Sequence, residues 1–206
     1  MSAPKRVARA TIARLPRYLS FLEGLDEGTT SVSSQQLAVG AAVKDAIVRR
    51  DLSDLGISGT RGVGYDVATL IERIHAELGL AEERAVVLVG AGVLGHALAD
   101  YPGFADAGFR LVGAYDASAD RIGMRFAEIT VSDVADLERD IDDHGVTMAI
   151  VTVPADAAQE VVDRLVAAGV RSILNFAPTT VSHPDDVDLR HVDLSAELQV
   201  LAYFSR

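Results

Sequence analysis

The stretch VVLVGAGVLGHALADYPGF, residues 86–104, decides the fold. Its first four residues are apolar and mostly β-branched and predict a buried strand, while the residues after Gly95 predict a helix. The loop between them has glycines in the spacing G-x-G-x-x-G. The first glycine permits a tight turn, the second lets the backbone approach a pyrophosphate, and the third allows the helix to pack closely. A strand before the loop and a helix after it make this spacing typical of a dinucleotide site.

A second apolar run, RLVGAYD, ends at Asp116, 21 residues after Gly95. A carboxylate at this distance accepts hydrogen bonds from the ribose hydroxyls of an adenosine. Its charge repels a 2′-phosphate, which favours NAD(H) over NADP(H). The alternative interpretation is that Asp116 only caps a loop and the glycines only make a turn.

Short β-branched runs and helical patterns alternate after residue 84, which predicts βαβ units and a Rossmann-like parallel sheet. The predicted strands are 85–89, 109–115, 147–153 and 172–176. The predicted helices between them include 134–144 and 156–168, each followed by a glycine. A final amphipathic helix over 195–204 presents an apolar face that needs a partner.

The first third of the chain predicts helices in a helix-turn-helix arrangement. Apolar residues three or four apart over 11–25 indicate a helix that begins or kinks at Pro16. Ser33 and Gln36 form a predicted capping box, and Asp45 is the predicted N-cap of a recognition helix over 46–55. The glycine-rich residues 56–67 favour the β-ribbon wing of a winged helix over a plain interdomain loop. The predicted fold class is therefore α/β, with an N-terminal winged-helix domain.

Composition narrows the function. The 206 residues are 49% hydrophobic and 24% charged, and they include no cysteine, which excludes disulfides, thiolate metal sites and thiol nucleophiles. No segment has the length of a membrane span and no signal peptide opens the chain, so we expect a cytoplasmic protein without a membrane partner. The five histidines form no closely spaced pair, and we predict neither a metal site nor a catalytic residue. Tyr101 is better placed for a sensor contact than for catalysis, and core packing is the alternative.

Charge is distributed unevenly. The chain has a net charge of −11, yet residues 1–62 contain nine Lys or Arg against six Asp or Glu. A basic binding module on an acidic body produces such an asymmetry, and chance segregation is the alternative.

Six segments together resemble the Rex family of redox-sensing transcriptional repressors. They are RLPRYLSFL (14–22), VSSQQLA (32–38), VRRDLSDLGISGTRGVGYDV (48–67), VGAGVLGHALADYPGF (89–104), TVPADAAQEVVDRLVAAGVRSILNFAP (152–178) and VDLSAEL (192–198). The resemblance implies a homodimer that binds a palindromic operator and leaves it when NADH binds. It implies a winged helix over 1–80, a Rossmann domain for NADH or NAD+ over 81–190, and a C-terminal helix over 191–206 that is swapped onto the partner.

The resemblance also implies roles for individual residues. For DNA, these are Ser33, Ser34, Lys44, Arg49, Arg50, Thr60 and Arg61. For the nucleotide, they are Gly90, Ala91, Gly92, Val93, Leu94, Gly95, Tyr101, Asp116, Thr152 and Pro154, with Asp193 and Leu194 reaching the nicotinamide across the dimer. A solvated helix face is the alternative for Arg49 and Arg50, and a helix N-cap is the alternative or additional role of Asp193.

Four positions depart from the family pattern. Ser20 stands where the family usually has an arginine that pairs with the residue matching Asp193, and Ser58, Asp54 and Val93 also differ from common choices. These departures keep open a constitutive DNA-binding paralogue with a weakened switch. A small NAD-dependent oxidoreductase, or a CoA- or nucleotide-binding ligase subunit, is the enzyme alternative.

Overall fold

The computed structural model describes residues 7–126 and 128–205 and divides the chain into two compact units, Met1–Glu82 and Glu83–Arg206. Two of the nine basic residues counted above, Lys5 and Arg6, lie outside the described residues. The division between residues 82 and 83 lies two residues after the predicted boundary at 80/81. The finer predicted boundaries, at 80/81 and 190/191, stay predictions.

The first unit is helical with one small antiparallel sheet. Its elements are α1 (Arg9–Ile12), α2 (Leu15–Glu23), β1 (Ser31–Val32), α3 (Ser34–Gly40), α4 (Asp45–Asp54), β2 (Tyr65–Asp66) and α5 (Val67–Leu78). Pro16 lies in the first turn of α2, where its missing N–H is not needed, so the predicted start at this proline is confirmed. The core joins the helices through Leu15, Tyr18, Leu37, Leu52, Leu70 and Ile74, all fully buried.

The two predicted helix caps have different outcomes. The capping box is confirmed: Gln36 N donates to Ser33 Oγ at 3.1 Å, and Ser33 N donates to Gln36 Oε1 at 2.9 Å. The predicted N-cap at Asp45 is wrong, because Lys44 holds that position without a side-chain hydrogen bond and Asp45 is the first helical residue. There the Asp45 carboxylate pairs with Arg49 one turn later, and it also meets the positive end of the helix dipole.

The predicted wing is present as a short hairpin. Thr60 and Gly64 exchange backbone hydrogen bonds of 2.7 and 2.9 Å, and β2, which follows, pairs antiparallel with β1. Gly64 has φ +103°, and a Cβ there would lie 2.5 Å from the carbonyl oxygen of Val32. Only glycine therefore lets the hairpin approach β1.

The second unit is a Rossmann-like sheet with helices. Its strands are β3 (Arg84–Val89), β4 (Phe109–Asp116), β5 (Arg125–Phe126), β6 (Ile129–Asp133), β7 (Met148–Val151), β8 (Ser172–Asn175) and β9 (Asp188–His191). Its helices are α6 (Val93–Ala99), α7 (Pro102–Asp106), α8 (Leu137–His144), α9 (Ala158–Ala167) and α10 (Leu194–Phe204), and a 3₁₀ turn over Val134–Asp136 precedes α8.

The strand order is β5-β6-β4-β3-β7-β8-β9, and all neighbours are parallel except β5 and β6. The four predicted strands are confirmed, with bounds that differ by up to two residues. The predicted Rossmann-like parallel sheet is confirmed, and the two-residue β5 adds an antiparallel edge that was not predicted. Strands β5, β6 and β9 carry too few apolar residues to be recognised in the sequence.

The two faces of the sheet are covered unequally. Alternate residues of β3 point to opposite faces, so Val87 and Val89 join the larger core under α8 and α9, while Val86 and Leu88 join a smaller cluster on the other face. That second face keeps a cavity of about 330 Å³ next to Phe104.

Helix α10 confirms the predicted C-terminal helix, which starts one residue earlier than expected. None of its residues is buried, and its exposed apolar side chains are Leu194, Leu198, Val200, Leu201, Tyr203 and Phe204. The swap onto a partner stays a prediction. Among the described residues, no helix combines the length and the apolar character that a membrane crossing needs.

Candidate dinucleotide site and nucleic-acid interface

The glycine turn lies where the strand order of the sheet reverses. Strands β4 and β6 extend from β3 in one direction, and β7, β8 and β9 extend in the other. Crossovers on either side of such a point leave a crevice at the carboxyl ends of the central strands, and this is where doubly wound sheets bind nucleotides. The turn after β3 and Thr152, which follows β7, meet at this crevice.

Each glycine of the turn has a different geometric requirement. Gly90 has φ +108°, and a Cβ there would lie 2.7 Å from the carbonyl carbon of Thr152. A Cβ at Gly95 would lie 2.0 Å from the carbonyl oxygen of Gly90. A Cβ at Gly92 would meet nothing within 4 Å, so the backbone faces open space there. The turn is therefore packed tightly behind and left open in front, as a pyrophosphate would require.

Thr152 fixes the turn from the neighbouring strand. Its hydroxyl donates to the carbonyl oxygen of Gly90 at 2.6 Å, and its N–H donates to the carbonyl oxygen of Val89 at 2.8 Å. Pro154 follows it and is exposed. These contacts give Thr152 a positioning role at the predicted site, and ligand contact by either residue stays a prediction.

Asp116 at the end of β4 reaches the same turn. Its carboxylate accepts hydrogen bonds from Ala91 N at 2.7 Å, Ser118 N at 2.8 Å and Arg121 Nη1 at 3.1 Å. Burial opposes ionisation, but these three donors outweigh it and hold the pKa of Asp116 below its usual value. Asp116 does cap the loop that follows β4, because it accepts a hydrogen bond from Ser118 N. It also contacts Ala91 of the glycine turn, which places its charge at the crevice.

A surface pocket opens beside Asp116. It is lined by Ala91, Gly92, Val93, His96, Ala97, Arg121, Met124 and Phe126. The His96 ring packs at 57° against Phe126, with 4.6 Å between ring centroids, and gives the pocket an aromatic wall. Val93 is 93% exposed at its rim. The sequence did not reveal Arg121 and Phe126, because their approach to this pocket depends on the path of the chain after β4.

Tyr101 is an exposed residue at the N-cap of α7. The side chain is 55% exposed, and its ring meets Phe104 edge-on at 5.3 Å. Core packing is therefore the wrong interpretation of this tyrosine. The exposed ring is free to touch a ligand or a partner, and its role at the nicotinamide stays a prediction.

Asp193 is the N-cap of α10. It accepts hydrogen bonds from Ser195 Oγ at 2.6 Å, Ser195 N at 2.9 Å and Ala196 N at 3.2 Å. These bonds, led by the Ser195 hydroxyl, lower the pKa of Asp193 and keep it ionised. The capping role is confirmed. The role of Asp193 and Leu194 across a dimer stays a prediction.

The predicted DNA-contacting residues lie at the start of α3, on or next to α4, and on the hairpin of the first unit, and most of them are exposed. Arg49 and Arg50 are exposed on α4, while Val48 and Leu52 on the same helix are fully buried. Of the other residues implied for DNA, Lys44, Thr60 and Arg61 are exposed, with Arg61 at the tip of the hairpin, and Ser33 and Ser34 are half-buried at the start of α3. The Ser33 hydroxyl is already engaged in the capping box, whereas Arg49 is held by Asp45.

An ion pair that the sequence did not reveal lies on the buried face of α4, between Asp51 and the partly buried Arg14. Asp51 on α4 is 1% exposed and accepts from Arg14 Nε at 2.6 Å, Arg14 Nη2 at 2.7 Å, Tyr18 OH at 2.7 Å and Thr11 Oγ1 at 2.9 Å. Burial opposes ionisation of Asp51, yet these donors together lower its pKa, and the pKa of Tyr18 is raised, chiefly by burial. Arg14 therefore connects α4 to the preceding helices, and Asp51 neutralises its charge within the unit.

The described residues contain no group of three or more His, Asp or Glu side chains placed to hold a metal ion. The predicted absence of metal and catalytic residues stays a prediction.

Comparisons with known proteins follow the division into two units. Residues 6–53 match the family model described as "Putative DNA-binding protein N-terminus", and residues 81–179 match the model described as "CoA binding domain". By itself, the second description also fits the ligase-subunit alternative.

Relatives that extend over both units distinguish between a repressor and a ligase subunit. The redox-sensing transcriptional repressor Rex of Streptomyces griseus is 52% identical over 198 residues, which cover 96% of this chain and 78% of that relative. A crystal structure of RSP, a Rex-family repressor, in complex with NAD+ and operator DNA is 36% identical, with a TM-score of 0.90 over 97% of this chain and 93% of RSP. RSP in complex with NADH is similar to this chain with a TM-score of 0.85 at 35% identity, over 97% of this chain and 94% of RSP.

Proposed function

Because the chain belongs to the Rex family of redox-sensing transcriptional repressors, we propose that it binds a palindromic operator as a homodimer and leaves that operator when NADH binds. The observation that carries the proposal is the combination, in one chain, of a nucleotide crevice closed by Asp116 and a recognition helix with two exposed arginines. The solved complexes of RSP with NADH and with NAD+ and operator DNA support both halves.

In the DNA-bound state, Arg49 and Arg50 face the major groove. Arginine donates two parallel hydrogen bonds to guanine there, and each such pair contributes about 1–3 kcal/mol of discrimination. Arg61, at the tip of the hairpin with Thr60, enters the minor groove, whose negative potential is strongest in narrow A·T tracts. Lys44, Ser33 and Ser34 contact the phosphate backbone and set the register. DNA must displace Asp45 from Arg49 before that arginine contributes fully.

In the nucleotide-bound state, the pyrophosphate lies along the turn of Gly90, Ala91, Gly92, Val93, Leu94 and Gly95. The open space in front of Gly92 supports this placement. The Asp116 carboxylate accepts the adenosine ribose hydroxyls, and Thr152, Pro154 and Tyr101 lie along the remainder of the ligand. NADH is an effector in this scheme. The chain binds NADH and responds to it but carries out no hydride transfer. The family assignment therefore replaces the enzyme alternative.

The homodimer forms through α10. Six apolar side chains of this helix are exposed, and a helix of this composition is stabilised when it is buried against a second copy. The same docking brings Asp193 and Leu194 of one copy to the nucleotide of the other. We expect the repressor to work in the cytoplasm, where operator DNA and NADH are both present.

The coupling between the two sites needs a direct test, because Ser20 stands where the family pattern has an arginine that pairs with the residue matching Asp193. NADH shifts the equilibrium only by its differential affinity for the DNA-bound and DNA-free states. The direct test is fluorescence anisotropy of labelled operator DNA titrated with the protein, in the absence of nucleotide, with NAD+ and with NADH. We expect NADH to weaken binding by at least about tenfold relative to NAD+, within the usual range of coupling free energies. Equal curves with the two nucleotides would leave a constitutive DNA-binding protein.

A further inference from the structure

Arg121 stands beside Asp116 at the predicted ribose position. Its Nη1 lies 3.1 Å from Asp116 Oδ2, and its side chain is 45% exposed against 8% for the aspartate. It also lines the pocket that contains Gly92 and Phe126. Arg121 therefore borders the pocket and faces solvent, while Asp116 is mostly buried behind it, in contact with two residues of the pocket wall, Arg121 and Ala91.

A guanidinium and a carboxylate have opposite preferences for the adenosine end of a dinucleotide. The carboxylate accepts hydrogen bonds from the 2′- and 3′-hydroxyls and repels a 2′-phosphate. The guanidinium carries five N–H donors in a planar fork that matches phosphate oxygens. The hydrogen bond to Asp116 uses one Nη1–H, so the fork can remain in place and still meet a phosphate.

We propose that Arg121 is a second specificity-determining residue of this site: it attracts a 2′-phosphate, whereas Asp116 repels it. Removing the charge of Asp116 removes the repulsion, and Arg121 then binds the 2′-phosphate of NADPH. In the wild type the same arginine offsets part of the repulsion, so it narrows the preference for NADH. The inference rests on the proposed binding of NADH at this crevice.

The test is a double-mutant cycle on the full-length protein. The dissociation constants of NADH and NADPH are measured by calorimetry for the wild type, Asp116→Asn, Arg121→Ala and the double variant. We expect Asp116→Asn to bind NADPH about tenfold more tightly than the wild type does, as a charge-assisted contact with phosphate predicts, and the double variant to lose that gain. Arg121→Ala alone should bind NADPH more weakly than the wild type and change NADH binding less.

Arg110→Ala is the matched control. Arg110 is 60% exposed, pairs with Glu83, and lies near the start of β4, whereas Asp116 is at its end. Replacing Arg110 changes the net charge by the same amount at the opposite end of β4. Added to Asp116→Asn, it should therefore leave the increase in NADPH affinity intact. A second replacement, Asp116→Ser, is measured in parallel because asparagine could disturb the Ala91 and Ser118 contacts.

The outcomes separate this inference from the proposed function. A wild type that binds no NADH overturns the proposed function. A wild type that binds NADH overturns only the inference if neither Asp116 variant gains NADPH affinity, or if the gain survives Arg121→Ala. If adding Arg110→Ala to Asp116→Asn also abolished the increase in NADPH affinity, the effect would be one of net charge, and the inference would again be overturned.

Discussion

Two aspartates, one in each unit, each pair with an arginine, but their surroundings differ. Asp51 is 1% exposed and accepts four hydrogen bonds from Thr11, Arg14 and Tyr18. Asp116 is 7% exposed and accepts two backbone N–H groups and one bond from Arg121, whose side chain is 45% exposed at a pocket.

The difference shows how one chemical pair serves two purposes. The side chains around Asp51 saturate its oxygens and leave no approach for a ligand, so the pair stabilises the helices that carry the recognition surface. Asp116 lies at the carboxyl end of a strand, and its arginine partner is 45% exposed at the rim of an open pocket. A saturated carboxylate is structural, whereas one beside a crevice is available for binding.

Breaking the buried pair should produce the largest change. Asp51→Asn leaves the Arg14 guanidinium without its charged partner inside the first unit, and loss of one partner of a buried pair costs about 3 kcal/mol of unfolding free energy. Urea denaturation followed by circular dichroism measures this loss. The matched variant Asp116→Asn should lose less than half as much, and equal losses would contradict the distinction between the two aspartates.

The next-largest effect should be on the pH dependence of the unfolding free energy, through the same pair of Asp51 and Arg14. The pKa of Asp51 is lower in the folded chain than in the unfolded chain, so the unfolded state binds protons first as the pH falls. The stabilisation is fully present above the unfolded pKa of about 3.9 and is lost as the pH falls through the folded pKa. Unfolding free energies measured from about pH 5 to pH 3 should therefore decline less steeply for Asp51→Asn than for the wild type. Parallel slopes would count against a stabilising charge on Asp51.

At the open site, the expected effect is on the ligand. Asp116→Asn should weaken NADH binding by about tenfold, because a charge-assisted acceptor for the ribose hydroxyls becomes a neutral one. Titration followed by NADH emission measures the affinity, and Asp51→Asn serves as the comparison at a temperature where it remains folded. A greater loss of NADH affinity in Asp51→Asn would mean that the two aspartates have been assigned the wrong roles.

The smallest expected difference concerns the salt dependence of operator binding. Lys44 is exposed at the start of the recognition helix and contacts a phosphate in the proposed complex, so Lys44→Ala should reduce the slope of log K against log salt by about 0.9. The double variant Arg14→Ala/Asp51→Ala removes a basic residue whose charge is satisfied internally. Where it remains folded, its slope should match that of the wild type, and a reduced slope would place Arg14 on DNA.

Local signals in the sequence predicted a large part of this architecture. The capping box of Ser33 and Gln36, the helix start at Pro16 and the glycine turn each depend on residues within one or two turns of one another. The Asp45 cap was wrong because Arg49 competes for the carboxylate one turn later, which is also a local effect but one of pairing. Strand β6 and the edge strands β5 and β9 were missed since they bury few side chains.

The parts that the sequence did not reveal depend on contacts distant in the chain. Asp51 meets Arg14 across 37 residues, and no periodicity marks either as a partner of the other. Arg121 is only five residues from Asp116, yet the turn after β4 decides whether the two side chains meet. Thr152 reaches Gly90 across 62 residues, and only the parallel pairing of β3 and β7 brings them together.

The central claim is that the nucleotide crevice and the recognition helix are coupled, and thermodynamic reciprocity provides its most direct test. If NADH lowers the affinity for the operator, the operator must lower the affinity for NADH by the same factor. The chain contains no tryptophan, so NADH emission can be followed without interference from that residue in free protein and in the operator complex. We predict that saturating operator DNA raises the NADH dissociation constant by at least about tenfold, and an unchanged constant would contradict the coupling.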